Sequence, residues 1–279
     1  MQKSKVALVK CDAYDYPRVA AAIEKGLALI GGLDHFISAA DRVLIKPNVV
    51  AGEEPARAIS PHPVVFKAVA EQTLGISRQV AYGDSPGVGR VHSSLKRCGL
   101  AGAAEELGLS LADFEKGREV VFHDSPFTKK FTIANGVLES DALISLCKLK
   151  AHKLTRLTGA VKNQFGCIPG LQKVEYHLKM PNSYDFAKML VALNLLLKPR
   201  LYIMDAVMAM QGNGPRNGDP TPMNCLLFSS DPVALDAVAA RLVDVQPAVL
   251  PTSQPDKSGD WAFMRMIKLN LSAMPSSRS

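Results

Sequence analysis

The run Lys148-Leu149-Lys150-Ala151-His152-Lys153, followed by Leu157-Thr158-Gly159-Ala160-Val161-Lys162-Asn163-Gln164-Phe165-Gly166, sets ammonium groups, an imidazole and side-chain amides beside an apolar segment. Such a set suits an anion. Lysines attract phosphate or carboxylate oxygens as point charges, and amides add directed hydrogen bonds. Between Lys129 and Lys173 stand eight Lys or Arg against two acids, Glu139 and Asp141, a local excess of 8 − 2 = +6. The whole chain carries 33 − 26 = +7, so most of its excess arises here.

Other polar groups follow apolar segments in the same way. Lys46-Pro47-Asn48 ends one, Gly83-Asp84-Ser85-Pro86-Gly87 ends another, and Asp205 ends a third. In a parallel sheet such strand ends meet along one edge, so these residues are expected to converge. The anion-binding set is then Lys46, Asn48, Ser85, Lys148, Lys150 and Asn163, with Lys162 beside them. The Gly83–Gly87 loop has three open roles: it presents amides to an anion, its Asp84 holds a divalent metal with Asp205, or Asp84 caps its own turn. His62 and His152 are the candidate proton carriers, and His152 is preferred because it lies within the basic run. Lys162 also has the chemistry of a covalent amine, whereas no nucleophile elbow or Ser-His-Asp order is present. Asp231 before Pro232 reads as a helix cap.

These groups need a scaffold that alternates strands and helices. Segments at 6–9, 42–46, 79–82, 142–146, 201–204 and 226–228 read as strands, and helical patterns lie between them, as at 17–30 and 184–197. The expected fold class is α/β, a Rossmann-like and mostly parallel sheet with helices on both faces. Residues 1–245 form the expected domain, with a flap or small subdomain over 108–140 and a Pro/Ser-rich tail over 246–279. Within the tail, Trp261 to Leu269 has amphipathic spacing.

Composition narrows the class further. A hydrophobic content of 47% with 21% charged residues is that of a globular protein. The five cysteines, Cys11, Cys98, Cys147, Cys167 and Cys225, are scattered, which argues against a disulfide framework and for a reducing cytoplasm. No C-x-x-C pair supplies an iron-sulfur cluster motif. Met1 to Lys10 lacks the apolar core of a signal peptide, and no apolar run approaches the roughly 20 residues of a membrane span. A pI near 9.1 raises nucleic acid as a partner, but the basic run lacks interleaved aromatics, so that reading ranks last.

Taken in order, the chain resembles the family catalogued as domain of unknown function 362. The matching pieces are Val43 to Asn48, His62-Pro63, Tyr82 to Gly87, Lys148 to His152 with Thr158 to Asn163, Gly166 with Pro169-Gly170, and Ser230 to Asp236. The resemblance implies an α/β domain whose biochemical role is largely unassigned. It also implies redox surroundings, because many relatives resemble fusions to a ferredoxin-like iron-sulfur module. That module is absent from this sequence. Two functional readings follow: an enzyme acting on a small anionic metabolite, or a redox-associated scaffold that docks a ferredoxin-like partner, with Cys147 and Cys167 near the contact.

Overall fold

A computed structural model describes residues 4–125, 127–170 and 172–253. The elements run β1 (Ala7–Lys10), α1 (Tyr16–Leu29), β2 (Val43–Pro47), α2 (Pro63–Leu74), β3 (Val80–Tyr82), α3 (Val91–Arg97), α4 (Leu100–Glu106), β4 (Ser110–Leu111), β5 (Gly117–Val121), β6 (Lys130–Ala134), α5 (Asn135–Leu138), β7 (Ala142–His152), β8 (Arg156–Thr158), α6 (Ala160–Asn163), α7 (Gln172–Lys179), α8 (Ser183–Leu197), β9 (Leu201–Gln211), β10 (Asp219–Ser229) and α9 (Pro232–Leu242). An eight-stranded sheet has the order β1-β10-β9-β7-β2-β3-β4, with β8 added to β7. The pairs β9-β7, β7-β2, β2-β3 and β3-β4 are parallel, while β1-β10, β10-β9 and β7-β8 are antiparallel. The α/β class with a mostly parallel centre is therefore the observed one. Because β1 and β9 are each antiparallel to β10, β1 is parallel to β9, and its carboxyl end falls on the same edge as those of β2, β3 and β7.

Local chemistry explains where the helices begin. Asp231 accepts hydrogen bonds from Val233 N (2.9 Å) and Ala234 N (3.0 Å), with Pro232 at the first turn of α9. The backbone of α1 ends at Ile30, where Gly31 and Gly32 take the positive φ values of 114° and 92° that a glycine adopts readily.

Strand alternation divides the core into two layers. Leu201 and Ile203 of β9 and Phe228 of β10 pack with α1 and α2, whereas Tyr202 and Met204 of β9 and Leu227 of β10 pack with Leu235 and Ala239 of α9. The Tyr202 hydroxyl donates to Asn194 Oδ1 of α8 at 2.9 Å, and Asn194 donates to the Val161 carbonyl of α6 at 2.8 Å. One face of the sheet thus carries α1 and α2, and the other carries α6, α8 and α9.

Strands β7 and β9 run longer than their apolar segments suggest. β7 continues through Lys148, Lys150 and His152 because β8 and β9 pair with its extension on either side. β9 likewise continues past Asp205 to Gln211, paired with β10. The basic residues and Asp205 therefore sit within strands, where alternation decides which face each side chain joins. Within 108–140 a two-stranded antiparallel sheet pairs β5 with β6. Of 246–279, residues 246–253 form short turns, and Trp261 to Leu269 lies outside the described residues.

Candidate functional site at the carboxyl edge of the sheet

Lys46 is the last residue but one of β2 and is fully buried on the α6 face. Its Nζ lies 2.8 Å from Asp84 Oδ1 and donates to Asn163 Oδ1 at 2.8 Å. The second Asp84 oxygen accepts Val49 N at 2.6 Å. Asn163 turns its Nδ2 to Ser145 Oγ at 2.8 Å, and Gln164 reaches the same hydroxyl at 2.7 Å. A Cβ on Gly166 would lie 2.0 Å from Asp84 Oδ1 and 2.8 Å from Lys46 Nζ, so only glycine lets this turn press against the ion pair.

A second ion pair occupies the opposite face. Lys148 Nζ lies 2.8 Å from Asp205 Oδ2 and donates to the Tyr14 hydroxyl at 3.0 Å. Asp205 also accepts from Tyr14 (3.0 Å), His62 N (2.9 Å) and Val207 N (3.1 Å). The His62 ring stacks on Tyr14 with centroids 3.8 Å apart, and its Nδ1 accepts Val64 N as the cap of α2. Burial pushes the imidazole down to about 4, so His62 is neutral at ordinary pH.

The expectation that Asp84 and Asp205 share a metal is corrected by this geometry. Lys46 pairs in register with Ser145, and Lys148 with Asp205, so the two lysines lie on opposite faces of the sheet. Each carboxylate faces its own ammonium, and among the described residues no group of three or more His, Cys, Asp or Glu is placed to hold a metal. Ser85 is engaged as well: its hydroxyl accepts from Lys173 Nζ at 2.6 Å and from Gly170 N at 3.1 Å.

Between the two pairs, where β7 passes the sheet's edge, the ammonium groups have no carboxylate within ion-pair distance among the described residues. Lys150 is fully buried and donates to Asn48 Oδ1 and the Ile59 carbonyl. Burial, with Lys162 and Lys148 nearby, moves it well below the usual lysine range. Lys173 donates to the carbonyls of Ser85 (2.6 Å) and Pro86 (2.9 Å) and is pushed down to about 8 by burial. Lys162 is half-buried, with the Phe165 ring centroid 5.9 Å away, and forms no ion pair among the described residues. Burial, then Lys46 and Lys173, lower it to about 8, against the pull of Asp84. Thr158, the register partner of Lys150 on the same sheet face, has a buried hydroxyl without a hydrogen-bond partner among the described residues.

His152 closes this group. Its Nδ1 accepts Leu154 N (3.1 Å) and Thr155 N (3.3 Å), which assigns the ring proton to Nε2. Burial, then Lys162, Lys150 and His177, push the imidazole down to about 2. A ring held neutral in one tautomer does not shuttle protons near neutrality. The Leu154 and Thr155 amides fix the ring so that its Nε2–H faces away from them as a donor, an arrangement that favours a hydrogen-bonding role over the expected one of proton carrier.

Several residues of the site were given no role by the sequence. Lys173 lies on α7, a helix absent from the strand-helix reading, and Tyr14 lies in the loop after β1. Applying the strand-end argument to β1 would have found Tyr14. Asp236 is the third: its carboxylate accepts Ala160 N (2.6 Å) and Val161 N (3.1 Å), and a Cβ on Gly159 would lie 2.0 Å from it. It fixes the start of α6, and with it Lys162 and Asn163.

The order of these pieces is that of a described family. A model of the domain of unknown function (DUF362) matches residues 43–241. The chain belongs to this family. The DUF362 match takes in every element from β2 to most of α9, and so Lys46, Asp84, Lys148, Lys150, Lys162, Lys173, Asp205 and Asp236. A thylakoid-associated protein of Synechocystis sp. is 33% identical over 248 residues, covering 88% of this chain and 77% of that protein. Among solved structures, the lactate racemase apoprotein of Thermoanaerobacterium thermosaccharolyticum aligns over 85% of this chain with a TM-score of 0.58 and 11% identity. That likeness is one of fold, and this DUF362 chain spans 56% of the racemase's length. No helix among the described residues is long and apolar enough to cross a membrane.

Proposed function

We propose that this protein binds a small anionic metabolite, through a carboxylate or phosphate group, at the edge where β7, α6 and α7 meet, and acts on it as an enzyme. The observation that carries this reading is the uneven distribution of counter-charge. Lys46 and Lys148 each have a carboxylate at 2.8 Å, whereas among the described residues Lys150, Lys162 and Lys173 have none within ion-pair distance. Removing ammonium groups from water without a counter-ion is costly, and a bound anion would offset that cost. The His152 N–H and the unpartnered Thr158 hydroxyl supply neutral hydrogen bonds in the same neighbourhood.

The redox-scaffold reading gains nothing from the cysteines. Cys147 and Cys167 are buried free thiols that donate to the Ile203 carbonyl and Gln164 Oε1, and burial raises both above the usual thiol range.

Thermal unfolding in the presence of oxalate or inorganic phosphate tests the anion reading. A ligand that binds only the folded state at a hundred times its dissociation constant adds about 2.7 kcal/mol. The expected result is a concentration-dependent rise in Tm that weakens with added chloride and is reduced in Lys162→Met. No shift with either anion would overturn the proposal. Lys162 is preferred to Lys150 as the probe, because Lys150→Ala would also release the Asn48 and Ile59 loop.

A further inference from the structure

We infer that Lys162 is a nucleophilic amine that forms an imine with a small carbonyl compound carrying an anionic group, such as a 2-oxo acid. The inference rests on the anion site proposed above and adds the reaction that its central lysine performs. Four observations point to it.

Lys162 differs from every other lysine of the site in what its nitrogen touches. Lys46 and Lys148 are locked to carboxylates, and Lys150 and Lys173 donate to carbonyl groups. Lys162 has only the Phe165 ring beside it among the described residues, so its lone pair, once the proton leaves, is not engaged by a fixed partner. It is half-buried, open enough to be reached and covered enough to hold water back. Its neighbours Lys46 and Lys173 repel the protonated form, and together with burial they bring it down to about 8, where a useful fraction is the free amine. Finally, Asp236 and Gly159 hold the start of α6 so that the amine does not drift: the carboxylate binds two successive amides, and the glycine is required by its contact with that carboxylate.

The chemistry balances without an oxidant or a metal. The Lys162 nitrogen attacks the carbonyl carbon, and a proton passes from nitrogen to the carbonyl oxygen to give a carbinolamine. Loss of water then leaves a carbon–nitrogen double bond. No electrons are exchanged with another group. The anionic end of the substrate supplies the negative charge that Lys150 and Lys173 lack, and the Nε2–H of His152 hydrogen-bonds it. Imine formation and anion binding are thus served by adjacent residues.

The test is reductive trapping of the full chain. Protein is incubated with glyoxylate or pyruvate and cyanoborohydride, digested, and mapped by mass spectrometry. Propanal serves as a carbonyl compound without a charge, and oxalate as an anion without a reactive carbonyl. The expected result is one dominant adduct on Lys162, at least tenfold above any other lysine, weak with propanal and suppressed by oxalate. Lys162→Arg keeps the charge, so it should keep most of the oxalate thermal shift while losing the adduct. Equal labelling of Lys162 and exposed lysines, or equal labelling by propanal, would overturn the inference. No adduct in a protein whose Tm still rises with oxalate would overturn the imine and leave the anion site standing; no adduct and no rise would overturn both.

Discussion

Lys46 and Lys148 lie on opposite faces of one sheet and are treated alike: each is buried, each has a carboxylate at 2.8 Å, and each carboxylate is further held by a backbone amide. A few residues further along, Lys150 and Lys173 are also buried and Lys162 half-buried, yet among the described residues none of the three has a carboxylate within ion-pair distance. The first region is self-contained, with charges that neutralise one another inside the fold. The second is incomplete, with ammonium groups gathered around carbonyls, a neutral imidazole and an aromatic ring. On the function proposed above, a fold that closes two ion pairs and leaves the adjoining cations unclosed would separate the residues that hold the site together from those that would meet a ligand.

The sharpest way to break that comparison is to open the closed region. Lys148→Met would leave Asp205 buried without its cation, and such losses typically cost about 3–5 kcal/mol. Urea denaturation should report a loss of that size, and Lys148→Met combined with Asp205→Leu should recover part of it. A single variant as stable as the wild type would mean that the pairs do not hold the edge. Gly166→Ala tests the other pair sterically. With its new Cβ 2.0 Å from Asp84 Oδ1, it should cost on the order of 1–3 kcal/mol through displacement of a packed neighbour. A change much smaller than that would show that the Asp84 loop yields easily.

Asp236 lies between the two regions, and pH reads its part. Burial raises its carboxyl from the usual range to about 7, while the Ala160 and Val161 amides pull the other way. A carboxyl with a raised folded value favours the folded state below its ordinary value, near 3.8, and that contribution is lost as pH rises towards 7. The stability of the wild type minus that of Asp236→Asn should therefore fall between about pH 4 and pH 7. Taking the difference cancels the opposing slope from His62 and His152, whose lowered values add stability as pH rises towards 6.5. A flat difference would mean that Asp236 is ionised throughout.

How far the sequence discloses this arrangement depends on the kind of information each residue carries. The α/β class was legible because apolar runs and helical spacing repeat along the chain, and the Asp231-Pro232 cap because capping is a local matter. The motifs from Val43 to Asp236 also marked the family. Strand length was less legible. Lys148, Lys150 and His152 look like a loop until β8 and β9 supply partners, and the pairing with β9, far along the chain, leaves no local mark. The face of each lysine was hidden for the same reason, since parity within a strand is visible but the register between strands is not. That is why Asp84 and Asp205 seemed able to meet. The tautomer of His152 depends on two amides of the following turn, and Lys173 became relevant only once α7 folded back onto the Ser85 loop.

The smallest expected effect is also the most discriminating. Lys162→Met removes an unpaired, half-buried ammonium that Lys46 and Lys173 repel, so the unliganded variant should be as stable as the wild type or slightly more so, within about 1 kcal/mol at pH 7. The sign follows from linkage. A lysine lowered from 10.5 to about 8 in the folded state costs stability below that lower value, and the cost fades as pH rises through 8 towards 10.5. Any advantage of Lys162→Met in denaturant titrations should shrink over the same interval. Adding oxalate to the wild type should have the opposite consequence: an anion beside the ammonium raises its folded value, removes the cost and shifts the pH dependence upward. If Lys162→Met were instead as destabilising as Lys148→Met, Lys162 would belong to the closed region, and the division between holding and binding residues would fail at the residue on which it most depends.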